Sequence, residues 1–223
     1  MQTDTLIISP ESGIRDFPGY RVVYTAENRY VMGYERFHAD MQLVKIGSEI
    51  ITAPMFYDYY KKILPGKKIV CGSINPDGHY PKSVAYNTAV TEKFAICNEK
   101  YTDRVILQRV KENGLEIINV KQGYSKCSLC VFPGGAITSD RGIYNKISPK
   151  VDTLLIGTDG VFLPGADYGF LGGASGFGDR LYFTGNIENH PDFKDIKAFL
   201  EEKNIKYSYF PGELTDYGTA LFV

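Results

Sequence analysis

Short apolar runs that end in a small polar residue recur along the chain. They are Leu6-Ile7-Ile8-Ser9, Ile50-Ile51-Thr52-Ala53, Ala95-Ile96-Cys97-Asn98, Ala136-Ile137-Thr138-Ser139 and Tyr182-Phe183-Thr184-Gly185. Their starts at 6, 50, 95, 136 and 182 set a period of forty-odd residues. The last four are followed by amphipathic stretches, Tyr57 to Leu64, Thr102 to Asn113, Arg141 to Ile147 and Phe193 to Lys203. Thr, Ser, Asn or Asp before such a stretch is a good N-cap, because its side-chain oxygen takes a backbone N–H that the first helical turn leaves unpaired. A short apolar run then returns, at Lys68 to Cys71, Leu115 to Val120, Thr153 to Ile156 and Ile205 to Phe210. These runs have strand length and are rich in β-branched or aromatic residues.

A further strand is expected before each capped one, opening on small or polar residues. The segments are His38-Ala39-Asp40-Met41, Asn87-Thr88-Ala89-Val90, Cys127-Ser128-Leu129-Cys130, Gly173-Ala174-Ser175-Gly176 and Gly218-Thr219-Ala220-Leu221. The predicted unit is strand, turn, strand, helix, strand, repeated about five times over residues 1–223 as one domain. The fifth unit is split, with its first strand at the C-terminus and its capped strand at the N-terminus. Such a split clasps a closed ring and leaves no free sheet edge, and a fixed period of this size marks propellers and solenoids. The expected fold class is therefore α/β, as a five-fold pseudo-symmetric α/β propeller. The competing reading is a mixed α/β chain that repeats such patterns by chance.

Composition narrows the function classes. The chain of 223 residues carries 25 Lys plus Arg against 26 Asp plus Glu, a formal net charge of −1. It lacks the basic excess that marks nucleic-acid binders. No apolar run approaches the ~20 residues that span a bilayer, and Met1 to Pro10 lacks the basic and apolar regions of a signal peptide. Cys71, Cys97, Cys127 and Cys130 are too few and scattered for a disulfide scaffold. A cytoplasmic location is expected. The 23 glycines and 17 tyrosines fit many short strands and tight turns.

Five such units in a ring resemble the pentein, or guanidino-group modifying enzyme, fold. That family of α/β propellers includes arginine and agmatine deiminases, dimethylarginine hydrolases, amidinotransferases and a non-catalytic ribosomal anti-association factor. The segments Gln122 to Cys127, Ile137 to Asp140 and Tyr168 to Gly176 resemble a clostridial family assigned to the same fold. The resemblance implies a Cys nucleophile, a His acid/base and carboxylates that grip a guanidinium. A thiolate attacks the electron-poor guanidinium carbon, His moves protons, and carboxylates hold the cation. In those enzymes the Cys comes from the last unit. Here that unit, Asp216 to Val223, has no Cys, so the chain departs from the pattern. An active protein would be amidinohydrolase- or deiminase-like.

In such a ring the first strands face a central channel, and their opening residues carry the candidate chemistry: His38, Asp40, Asn87, Lys126, Cys127, Ser175 and Asp216. Cys127 is the candidate nucleophile, since Lys126 beside it and His38 across the ring would lower its pKa. The competing reading is a small buried residue at a strand start. His38-Ala39-Asp40 resembles the His-x-Asp of deiminase catalytic strands, and strand alternation would point both side chains to one face. His38 is the candidate acid/base; Asp40 and Asp216 are expected to take a cation; Asn87, Lys126 and Ser175 complete the ligand-binding set. The competing reading of His38 and Asp40 is a satisfied pair at a polar turn.

Other features read as structure. Cys127-x-x-Cys130 has no second ligand pair, and alternation would put its thiols on opposite faces, so no metal site is expected. The run Gly172 to Gly178 leads into a strand, which suits a close backbone approach better than a phosphate loop. His79 and His190 are expected at the surface. No cofactor is expected. The expected partner is a small guanidino or amino-acid-like molecule, with no nucleic acid and no membrane; self-association is left open. The alternative is a non-catalytic or degenerate ring that binds a macromolecule.

Overall fold

The structure, a computed structural model, describes residues 4–223. Among them the repeats form five three-stranded sheets. The first contains β1 (Thr5–Ile8), β2 (Arg21–Tyr24) and β15 (Leu221–Phe222). The second holds β3 (Leu43–Ile46), β4 (Glu49–Thr52) and β5 (Lys68–Cys71), and the third β6 (Ala89–Val90), β7 (Phe94–Cys97) and β8 (Glu116–Asn119). The fourth holds β9 (Leu129–Phe132), β10 (Gly135–Thr138) and β11 (Thr153–Leu155), and the fifth β12 (Ser175–Phe177), β13 (Leu181–Phe183) and β14 (Tyr207–Tyr209). In each sheet the central strand runs antiparallel to the first and parallel to the third. Ile137, for example, faces Cys130 across one ladder and Leu154 across the other. The split unit is also present: Leu6 pairs with Phe222, and Thr5 and Val223 exchange backbone hydrogen bonds.

The central strands are the most buried. β1, β4 and β10 are covered at every position, which is why they read as continuous apolar runs. A parallel neighbour requires a crossover. It is supplied by α1 (Tyr57–Ile63), α2 (Arg104–Glu112), α4 (Arg141–Ile147) and α5 (Phe193–Glu202), with a short α3 (Ser125–Ser128) preceding β9. The β1–β2 crossover has only a 3-10 turn at Pro10–Ser12. Asp103 and Asp140 cap α2 and α4 through the N–H groups of Val105 and Ile143. The helices bury Tyr60, Ile106, Val110, Ile143, Ile196 and Leu200 against the sheets.

One expectation is corrected. The first strands start two to five residues later than the sequence reading places them. His38 to Met41 is a 3-10 turn with His38 as its cap, and Cys127 lies on the helical turn α3 rather than on a strand. Here the backbone bonds to other units instead of extending its own ladder: Asp40 N–H donates to Gly218 O, Gly173 N–H to Cys127 O, and Thr219 N–H to Gly173 O. With those partners taken, pairing within the sheet begins only beyond them.

Neighbouring first strands touch, β6 with β9, β9 with β12 and β12 with β15. The first strands of all five sheets line one cavity of about 470 Å³. No helix among the described residues is long and apolar enough to cross a membrane.

Candidate functional site

The seven candidate residues come together, but across separate cavities rather than around one channel; His38 and Asp216 also line an opening of about 490 Å³ beside Glu11, Arg36 and Tyr217. His38, Cys127 and Asp216 line a cavity of about 240 Å³ with Glu35, Met41, Tyr34, Tyr124, Tyr168 and Phe170. Asp40, Lys126 and Ser175 line the larger cavity between the first strands. Asn87 sits between the two sets. Its Oδ1 accepts the N–H groups of Lys126 (2.6 Å) and Cys127 (3.2 Å), and its Nδ2 donates to Cys127 Sγ at 3.0 Å. One buried amide thus holds the helical turn and the thiol that the turn carries.

Glycines allow this packing. A Cβ on Gly172 would collide with the carbonyl oxygens of Lys126 and Cys127, and one on Gly173 with the Asp216 carboxylate. Gly218 has φ +72 and lies flush against His38. The glycine run is therefore a close backbone approach, as its sequence suggests.

Cys127 is 3% exposed. Its thiol donates to Asp40 Oδ2 at 3.2 Å, and Thr219 Oγ1 donates to the same oxygen at 2.7 Å. Ligand-type atoms of His38, Asp40 and Cys127 all lie within 4.8 Å of one another. The turn brings His38 and Asp40 together, where the sequence reading relied on strand alternation. A His, a carboxylate and a thiolate are also donors that zinc accepts. In this structure, however, Asn87 and Asp40 already satisfy the thiol. Cys130 stands apart from the trio, buried in the core with Phe132, Ile137 and Leu181.

The electrostatics follow from burial. Burial, then the charges of Asp40 and Asp216, push the Cys127 thiol well above its ordinary value, against the Asn87 hydrogen bond. The expected lowering of its pKa is thus reversed. Burial lowers His38, opposed by the charge of Asp40, so the imidazole is neutral at pH 7 and able to accept a proton. Burial raises Asp40, against the charges of His38 and Lys126. Burial also pushes Asp216 up to about 6, although its oxygens accept the N–H groups of Phe170 and Gly218, both at 2.9 Å.

Glu35 lines the same cavity as Cys127 and is absent from the sequence-derived candidates. It is buried, its Oε1 accepts the Tyr124 hydroxyl at 2.6 Å, and its Oε2 has no hydrogen-bond partner. Burial raises its pKa. It lies three residues before His38, an acidic group beside an already selected His. Tyr124 belongs to the quoted segment Gln122 to Cys127. Tyr124 stacks on Phe170 at 6.4 Å, and Tyr168 meets Phe170 edge-on at 5.7 Å, so aromatic rings and carboxylates share one small cavity.

Ser175 is separate from the thiol. Its Oγ makes a long 3.4 Å bond to Gly172 O and it lines the other cavity. Lys126 Nζ donates to Gly172 O and Thr219 Oγ1. His79 is exposed as expected, but His190 is buried, with Nδ1 accepting the Asp192 N–H at 3.0 Å. That bond fixes a loop before α5 and explains the burial of a polar ring.

Comparison with known proteins adds the following. The model of a family described as a family of unknown function, DUF6873, matches residues 14–221. No curated protein matches the chain. Among solved structures, a mutant of DDAH from Pseudomonas aeruginosa, complexed with citrulline, is similar over 82% of this chain and 72% of that one. The identity is 7% and the TM-score 0.49.

Proposed function

We propose that this chain, which belongs to the DUF6873 family, is a single-domain, five-unit α/β propeller of the pentein type that binds a small guanidino or amino-acid-like cation beside Cys127 and modifies it hydrolytically. The observation that carries the reading is the apposition of Cys127, His38, Asp216 and Glu35 in one aromatic-lined cavity of about 240 Å³. Two buried carboxylates, one with an unpartnered oxygen, suit a planar cation with several N–H donors. The rings of Tyr124, Tyr168 and Phe170 add faces on which a cation can rest.

The ligand also supplies what the thiol lacks. Burial, then the charges of Asp40 and Asp216, hold Cys127 protonated, and a cation beside Asp216 offsets the charge contribution and favours the thiolate. In the reaction the Cys127 proton passes to neutral His38 and the thiolate adds to the guanidinium carbon. His38 returns the proton to the departing amine as the C–N bond breaks. Water, giving a proton to His38, then adds to the thiouronium carbon. As the C–S bond breaks, His38 returns that proton to the departing sulfur and the adduct's hydroxyl proton passes to water, releasing a urea-type product and the thiol. Asn87 steadies the sulfur, and Asp40 holds the thiol proton before reaction. The four free thiols suit work in the cytoplasm.

The test is a thermal-shift screen with arginine, agmatine, methylated arginines, creatine and citrulline, followed by assay of each binder for release of ammonia or amine. A ligand well above its dissociation constant stabilises by a few kcal/mol. Binding and turnover that are lost in Cys127→Ser support hydrolysis. Binding without turnover reduces the protein to a binder. No shift with any compound removes the reading.

A further inference from the structure

The larger cavity is the other face of the layer that holds Cys127. Its volume of about 470 Å³ falls within the roughly 300–1,000 Å³ of small-molecule sites. Its polarity is ordered from floor to rim. At the floor Asp40 offers a buried oxygen, Oδ1, with no hydrogen-bond partner among the described residues; its other oxygen is occupied by Cys127 and Thr219. Thr88 lies there too, its buried Oγ1 without an oxygen or nitrogen partner among the described residues and interacting with the Cys97 thiol. The walls are apolar, from Leu43, Val44, Val90, Val131 and Phe177. At the rim the exposed Lys45 bonds through Nζ to Phe222 O, at 3.1 Å, and forms no ion pair among the described residues.

A buried 4%-exposed carboxylate with one orphaned oxygen is costly unless a donor completes it. The cavity presents an acceptor at one end, hydrocarbon between and a cation at the other. Phe222, which holds Lys45, lies three residues beyond Thr219, which holds Asp40. Thr219 has φ +76 and the strand begins only at Leu221, so at ~3.3 Å per residue of extended chain the two ends are separated by at most roughly 10 Å.

We propose that this cavity is a second ligand site, separate from the Cys127 cavity, and that it takes a linear ω-amino carboxylate with its ammonium on Asp40 Oδ1, its methylenes along the first strands and its carboxylate on Lys45. Occupancy places a positive charge against the carboxyl that holds the Cys127 thiol, so this site reports to the other through Asp40.

The probes are 4-aminobutanoate, 5-aminopentanoate and 6-aminohexanoate, with pentanoate and pentylamine as controls, titrated by calorimetry into the full chain. At least one zwitterion should bind about tenfold or more tightly than either control, the gain a second charged contact brings. Lys45→Met should erase the preference over pentylamine, and Thr88→Val should weaken all amines. The unliganded melting temperature of each variant checks that it folds. The Asp216→Asn, Glu35→Gln double variant, altered in the other cavity, should still bind the zwitterion, its affinity shifted only through the charge that Asp216 exerts on Asp40. The site is overturned if no zwitterion binds, if Lys45→Met leaves the preference intact, or if the double variant abolishes binding. A failed guanidino screen leaves these outcomes unchanged, so the two readings fail separately.

Discussion

Asp216→Asn separates what this carboxylate does for a ligand from what its burial costs the fold. The aspartate is 2% exposed, and burial pushes its pKa from 3.8 to about 6. An acid whose native pKa lies above its unfolded value binds its proton more tightly when folded. The associated stability is present below 3.8 and is lost as pH rises through about 6. At about 1.36 kcal/mol per pH unit, the loss is ~3 kcal/mol above pH 7. Asn presents one carbonyl oxygen where the carboxylate accepts two N–H groups, from Phe170 and Gly218. Losing one such bond costs ~1 kcal/mol. The variant is therefore expected to be ~1 kcal/mol less stable than wild type near pH 4 and ~2 kcal/mol more stable near pH 7. Urea unfolding of both proteins at half-unit steps from pH 4 to 8 measures the difference. A difference that stays flat across this range refutes the argument, because Asp216 would then titrate alike in folded and unfolded chains.

Tyr124→Phe leaves both oxygens of buried Glu35 unpartnered and should destabilise by ~1–3 kcal/mol, read as a lower urea midpoint with unchanged slope. Gly172→Ala drives a methyl into the backbone of α3, so it should lose at least ~1–3 kcal/mol and speed alkylation of Cys127, followed by peptide mass mapping. In the folded wild type near pH 7, a thiol reagent should find exposed Cys71 first, while Cys97, Cys127 and Cys130 react slowly. Cys71→Ser should remove the fast phase, and its persistence would contradict the burial of the other three. A saturating guanidino ligand should raise Cys127 reactivity in Cys71→Ser when the ligand is small enough to leave Sγ accessible.

The five-fold repeat was legible because buried central strands and capped helices leave strong periodic signals. Ile50-Ile51-Thr52 and Arg141 to Ile147 lie in the elements expected of them. The first strands were harder to place. The segments at His38 and Cys127 take their hydrogen bonds from other units, and no local pattern encodes such partners. The polar residues selected at those positions do line cavities or hold the residues that line them, since the strand starts from different units meet there. The division into two cavities was not legible. It depends on side-chain bonds of Thr219 to Asp40 and Lys126, between residues far apart in sequence. Glu35 escaped for a related reason: its value lies in burial and in the Tyr124 hydroxyl 89 positions away.

The most direct test of the central claim, a guanidino cation held beside Cys127, is calorimetric titration of the tightest guanidino binder into wild type and into the Asp216→Asn, Glu35→Gln double variant at pH 7.5. The account predicts one site in the wild type and affinity weaker by about a hundredfold or more in the variant, as removal of two charge-assisted contacts implies. Equal affinity in both proteins, or no heat from any guanidino compound, would contradict it.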